Sequence, residues 1–163
     1  MQVQDKSASL CGRDAALRST RTLDVMAENW TRWALSDRID APCADMHFSY
    51  LPGQKLRVLM HFSKVIGGLE QDLEVILNGG VALRWAEEAL HSVTSPIVSL
   101  PKLSSEKWSD WTYPLLLVEE SEWLKSVKFF PHVRDHRHMV FMSMNDVIEV
   151  LAKPDADIQW ISP

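Results

Sequence analysis

The chain is predicted to be an α+β domain. It should be built mainly on an antiparallel sheet of seven or eight strands, curved or sandwich-like, with a long N-terminal helix and one short helix near 121–130. Three observations lead there. Apolar residues recur at helical spacing early in the chain. From Met46 the spacing changes to two. The connections between the two-period runs are short, whereas parallel neighbours need crossovers of about a dozen residues or more.

Residues 1–18 carry no apolar anchor and read as a flexible lead-in to a single domain over 19–163. Leu23, Met26, Ala27, Trp30, Trp33 and Ala34 then fall on one helical face, with Thr22 as N-cap and Pro42 beyond the end. Met46, Phe48 and Tyr50 alternate with polar residues, as do Leu56, Val58, Met60 and Phe62 after the Pro52-Gly53 turn. Leu73, Val75 and Leu77 continue the period, followed by Val81, Leu83 and Trp85. Asn78-Gly79-Gly80 between them is a hairpin signal, because tight turns need positive φ. Residues 46–86 therefore read as a four-stranded meander.

Pro96 and Pro101 punctuate a loop-rich stretch that runs through Ser104 to Asp110. Residues 114–118 are a strand candidate. Ser121 is placed to cap a short helix with Trp123, Val127 and Phe130 on one face. Two strands, 138–143 and 147–152, meet around Asn145-Asp146, and Ile158 and Trp160 mark a last strand.

Of the 163 residues, 46% are hydrophobic and 24% charged, near the averages for globular chains. The formal net charge of −5 argues against nucleic acid as the main partner, since phosphate contact needs clustered Lys and Arg. It is compatible with a basic protein partner. Neither Cys11 nor Cys43 belongs to a Cys-x-x-Cys pair, and a disulfide between them has no specific support. No apolar run is long enough to span a membrane and the N-terminus has no apolar signal region, so a cytoplasmic protein is expected.

The motifs that carry catalysis or phosphate binding are missing: no P-loop, no nucleophile elbow, no His-Glu-x-x-His. The acidic pairs Glu87-Glu88 and Glu119-Glu120 follow apolar runs, where solvated charge is expected. Asp72, Glu74, Glu87 and Glu88 flank one expected hairpin and would form an acidic patch, or protect an edge. His47 and His61 read as half-buried sheet residues.

The densest polar segment is His132-Val133-Arg134-Asp135-His136-Arg137-His138. On a strand, His136 and His138 would share a face, so they could grip a metal with a third ligand from His132, Asp146 or Glu149. Arg134 and Arg137 disfavour a divalent ion there and suit carboxylate recognition. The competing reading is the polar rim of an ordinary strand. Seven Trp residues are spread along the chain as anchors of separate elements, and Trp108 and Trp111 are candidates for a binding surface.

Two segments, "DLEVILNGGVALRWAEE" and "RHMVFMSMNDVIEVLAKPDADIQWI", resemble stretches of small uncharacterised bacterial proteins, some grouped with immunity proteins of toxin systems. Leu73, Val75, Val81 and Trp85 carry the first likeness, and His138, Phe141, Glu149, Val150 and Ala152 the second. The resemblance covers about a quarter of the chain. It implies a bacterial cytoplasmic binding protein with no catalytic residues to transfer.

The leading expectation is thus a non-enzymatic, protein-binding, immunity-like module that needs no cofactor, with contacts at Arg134, His136, Arg137, His138, Trp108 and Trp111. It would use neither nucleic acid nor membrane. The alternatives are a metal-binding protein or small metal-dependent enzyme using His136 and His138, and a small-ligand binder with an apolar cavity inside a curved sheet.

Overall fold

A computed structural model describes residues 28–63, 68–79, 82–87 and 99–162. Among the described residues, nine strands form two antiparallel sheets, and a single short α-helix connects two neighbouring strands of one of them. The strands are β1 (Asn29–Arg32), β2 (Asp45–Leu51), β3 (Lys55–Phe62), β4 (Gln71–Leu77), β5 (Ala82–Glu87), β6 (Leu115–Glu119), β7 (Arg137–Met142), β8 (Asp146–Ala152) and β9 (Ala156–Ile161). The helix α1 (Glu122–Val127) follows β6. One sheet has the order β1-β6-β7-β8-β5, the other β2-β3-β4-β9.

The α+β class is corrected by this arrangement. Where the sequence pattern predicts the second half of a long helix, Asn29–Arg32 is a strand, with Trp30 opposite Val118 of β6. Residues 23–27 of that expected helix, like the expected lead-in 1–18, lie outside the described residues. The physical reason is tertiary. Trp30 and Trp33 are both nearly buried, Trp30 from the strand and Trp33 just after it, where its amide donates to the Leu115 carbonyl at 2.9 Å. Two Trp three residues apart satisfy helical spacing, yet pairing with a buried neighbour strand outweighs local pattern.

The four-strand meander is also corrected. β2, β3 and β4 are consecutive neighbours, but β4 continues to β9 while β5 pairs with β8 in the other sheet. Asn78-Gly79 is therefore a corner and not a hairpin turn. Its geometry is unusual in one respect. Leu77 faces Ala156 in one sheet, and Ala82 faces Leu151 in the other. From the first pair to the second is five residues forward on one segment and five back on the other. The two ladders thus keep one register while both segments pass from sheet to sheet, as strands do at the corners of packed sheets. Gly79 has φ +61°, a conformation that favours glycine. The Lys153 amide donates to the Asn78 carbonyl at 3.1 Å, and Asn78 Nδ2 donates to Asp155 Oδ2 at 3.1 Å.

The sheets differ in burial. β3 alternates, with Leu56, Val58, Met60 and Phe62 inside and Arg57, Leu59 and His61 half-exposed. β7 and β8 are buried at almost every position, so both of their faces are covered. The main core joins Val58, Met60, Phe62, Leu73 and Val75 of one sheet to Met139, Phe141, Ile148 and Val150 of the other. A smaller cluster of Leu124, Val133 and Leu151 seats α1 and the turn before β7.

Candidate functional site

The site region is the stretch that leaves β6, forms α1 and returns as β7. Glu120 has φ +57°, a costly value for a residue with a side chain, and it turns the chain sharply out of the strand. Ser121 follows as the N-cap, its Oγ accepting from the Leu124 amide at 3.0 Å. Glu28 Oε1 accepts from the Glu122 amide at 2.9 Å, so two of the orphan donors at the start of α1 are satisfied. The helix stops at Val127. Phe130 is extended before Pro131, as a residue preceding proline prefers, and a 3₁₀ turn at Pro131–Val133 leads towards β7.

Beneath this corner lies a buried polar network. His138, 2% exposed, places Nδ1 2.8 Å from Ser121 Oγ and Nε2 2.7 Å from Glu149 Oε2. A carboxylate only accepts, so the ring proton belongs on Nε2, and the Ser121 hydroxyl turns its hydrogen onto Nδ1. The Nε2–carboxylate approach is close without the alignment of a full hydrogen bond, and sets the polar edge of the ring against the carboxylate. Trp30 and Trp123 set their rings edge-on to the imidazole at 6.3 and 5.2 Å. Arg84 lies over the other ring system, 3.9 Å from the Trp123 centroid.

Serine, histidine and glutamate in a row have the composition of a hydrolytic relay. The geometry assigns them elsewhere. Ser121 is 2% exposed, and its oxygen is already engaged by the Leu124 amide and by His138. The serine is committed to capping α1, and His138 fastens that cap to β7 and, through Glu149, to β8.

The predicted His136–His138 pair is split between two tasks. His136 precedes β7 and is 4% exposed. Its Nε2 donates to the Gly79 carbonyl at 2.8 Å, pinning the corner between the sheets. Of the proposed third ligands, only Glu149 approaches either ring. Asp146 accepts from Trp85 Nε1 at 3.0 Å, and His132 is exposed beside Phe130. Among the described residues, no group of three or more His, Cys, Asp or Glu side chains is arranged to hold a metal ion.

Arg134 and Arg137 are exposed on the surface of the same stretch. With Lys125 and Lys128 they give residues 125–137 four cations against the single carboxylate of Asp135. Hydrogen bonds to Glu122 and then Glu120 raise the pKa of Lys125. Between the positive residues stand Phe129 and Phe130, 71% and 44% exposed, with ring centroids 3.9 Å apart. Sequence reasoning missed this pair, because helical spacing placed Phe130 on the buried face with Trp123 and Val127. The signal was present: two aromatics immediately before Pro131 cannot stay on a helix that the proline ends. A cleft of about 420 Å³ adjoins the corner, lined by Ser121, Leu124, Lys125, Lys128, Arg137 and His138 among others.

Trp108 and Trp111 meet edge-on at 6.2 Å in a loop closed by the Lys102–Thr112 bridge. Trp108 is half-buried and packs on the main core. Trp111 is 38% exposed and lines a second cleft, with Cys43, Met142 and Met144. The expected acidic patch is divided. Asp72 pairs with His61 at 2.7 Å and Glu74 with Arg57 at 2.6 Å on one sheet, while Glu87 lies on the other. His47 is well exposed and sits 3.5 Å from Asp45. No helix among the described residues is long and apolar enough to cross a membrane.

The architecture and site define a two-sheet, largely β protein whose single described α-helix is clamped onto one sheet by a buried Ser–His–Glu network. In comparisons with known proteins the chain matches no family model, no curated protein and no solved structure.

Proposed function

We propose that this chain is a protein-binding module whose contact surface is the corner from Lys125 to Arg137. One observation carries the reading. Phe129 and Phe130 present adjoining, exposed rings, tilted 37° to each other, on a corner whose base is held by Ser121, His138, Glu149 and His136. Large aromatics are normally buried, and where they stand exposed on a rigid base they serve as anchors that enter a partner's pocket. Rigidity matters because an anchor already held in place loses little entropy on binding. An immunity-type role, in which the partner is a toxin, fits this reading and the two-segment resemblance.

Photo-crosslinking in the source cells tests the proposal. A benzoylphenylalanine at position 129 should give an adduct with a discrete protein. The same probe at Tyr50, which is 66% exposed on edge strand β2, should not. Equal labelling from both positions, or none from 129, would overturn it.

A further inference from the structure

We propose that the partner of this corner offers an acidic surface around an apolar pocket, the pocket taking Phe129 and Phe130 and the acidic rim facing Lys128 and Arg134. This rests on the reading of the corner as a contact surface. The argument is one of charge. The chain as a whole is acidic, at −5, yet residues 125–137 hold four cations and one carboxylate. Lys125 spends its charge locally, on Glu122 at 2.9 Å and Glu120 at 3.1 Å. Lys128 and Arg134 stand exposed on either side of the phenylalanines in sequence, and the His132 ring lies tilted beside Phe130 at 5.7 Å. Exposed cations that flank an apolar pair steer partners of the opposite sign and disfavour partners of the same sign.

The same chemistry could meet a nucleic acid or an anionic bilayer, and the charge of the chain favours protein. A polyanion or charged bilayer extends past the corner and meets the acidic remainder of the chain, at −5 overall, which repels it, whereas the acidic rim of a single pocket is bounded.

The test places the photo-crosslinker at position 129 in full-length protein in the source cells. It compares the wild-type surface with Lys128→Glu/Arg134→Glu and maps the adducts by mass spectrometry. Both residues are exposed, so a thermal melt within a few degrees of wild type confirms that the fold is retained. The expected result is an adduct on a peptide whose neighbourhood is rich in Asp and Glu, reduced at least fivefold by the charge reversal. A protein adduct on a basic or neutral segment, or one indifferent to charge reversal, overturns the acidic partner and leaves the contact surface standing. Adducts to lipid or nucleic acid instead of protein overturn both, as does the lack of any adduct at 129.

Discussion

His138 Nδ1 lies 2.8 Å from Ser121 Oγ, and that serine caps α1 by accepting from the Leu124 amide at 3.0 Å. A histidine on β7 therefore holds the first turn of a helix that would be marginal by itself. With six residues, α1 is far below the length at which isolated helices persist. Replacing Ser121 by Ala should cost about 1 kcal/mol for the cap and a further 1–3 kcal/mol for the buried imidazole nitrogen left without a partner. Urea denaturation of Ser121→Ala, His138→Gln and the double variant measures it. The double variant should lose less than the sum of the singles, since both mutations break one bond. Strict additivity would mean that the two side chains do not act together.

At the sheet-to-sheet corner, Gly79 adopts φ +61°, and the nearest atoms a Cβ there would meet are those of the Lys153 side chain, at an ordinary 3.5 Å. The cost of Gly79→Ala is then set by the backbone, about 1–2 kcal/mol, with Gly79→Asn milder because Asn tolerates this region. Equal stability for Gly79→Ala by thermal melting would contradict the corner as described.

Cys43 is buried, its thiol directed at the Asp45 and His61 carbonyls, and burial pushes its pKa well above the usual range. In a Cys11→Ser background, Ellman's reagent should label Cys43 only as fast as the protein unfolds. The sign of the pH effect follows. The native thiol keeps its proton where the unfolded one, with a pKa of about 8.5, gives it up, so this contribution to stability is complete below about pH 8.5 and declines as pH rises beyond it. A Cys43→Ala variant should flatten that decline, read as the midpoint of urea unfolding against pH.

Replacing Phe129 and Phe130 together by Ser should leave stability within about 0.5 kcal/mol per site, because exposed side chains add little to the folded state. A loss of several kcal/mol would show that the rings belong to the core.

Strand positions were largely legible in the sequence, because alternating apolar residues on β3 and β4 meet a core on one face and solvent on the other. Sheet membership was not. Asn78-Gly79 announces a change of direction, but whether the chain doubles back or crosses to a second sheet depends on β8 and β9, seventy residues on, which follow the same register. Trp30 misled because its burial comes from pairing with Val118, a long-range fact that helical spacing imitates. The histidine knot was legible as a place and not as a chemistry. His136 and His138 are both inward, yet their partners, the Gly79 carbonyl and Ser121, come from distant segments. Phe129 and Phe130 were hidden by the assumption that the helix reached them.

The most direct test of the contact surface is an affinity measurement once the cross-linked partner is purified. The dissociation constant is compared for the wild-type chain, Phe129→Ser/Phe130→Ser and Tyr50→Ser. If the phenylalanines are the anchors, the double variant should bind at least about 100-fold more weakly, since anchors of this kind contribute about 2 kcal/mol or more each and 1.4 kcal/mol is tenfold. Tyr50→Ser should stay within about twofold, as near-neutral positions do. Unchanged affinity in the double phenylalanine variant would contradict the account.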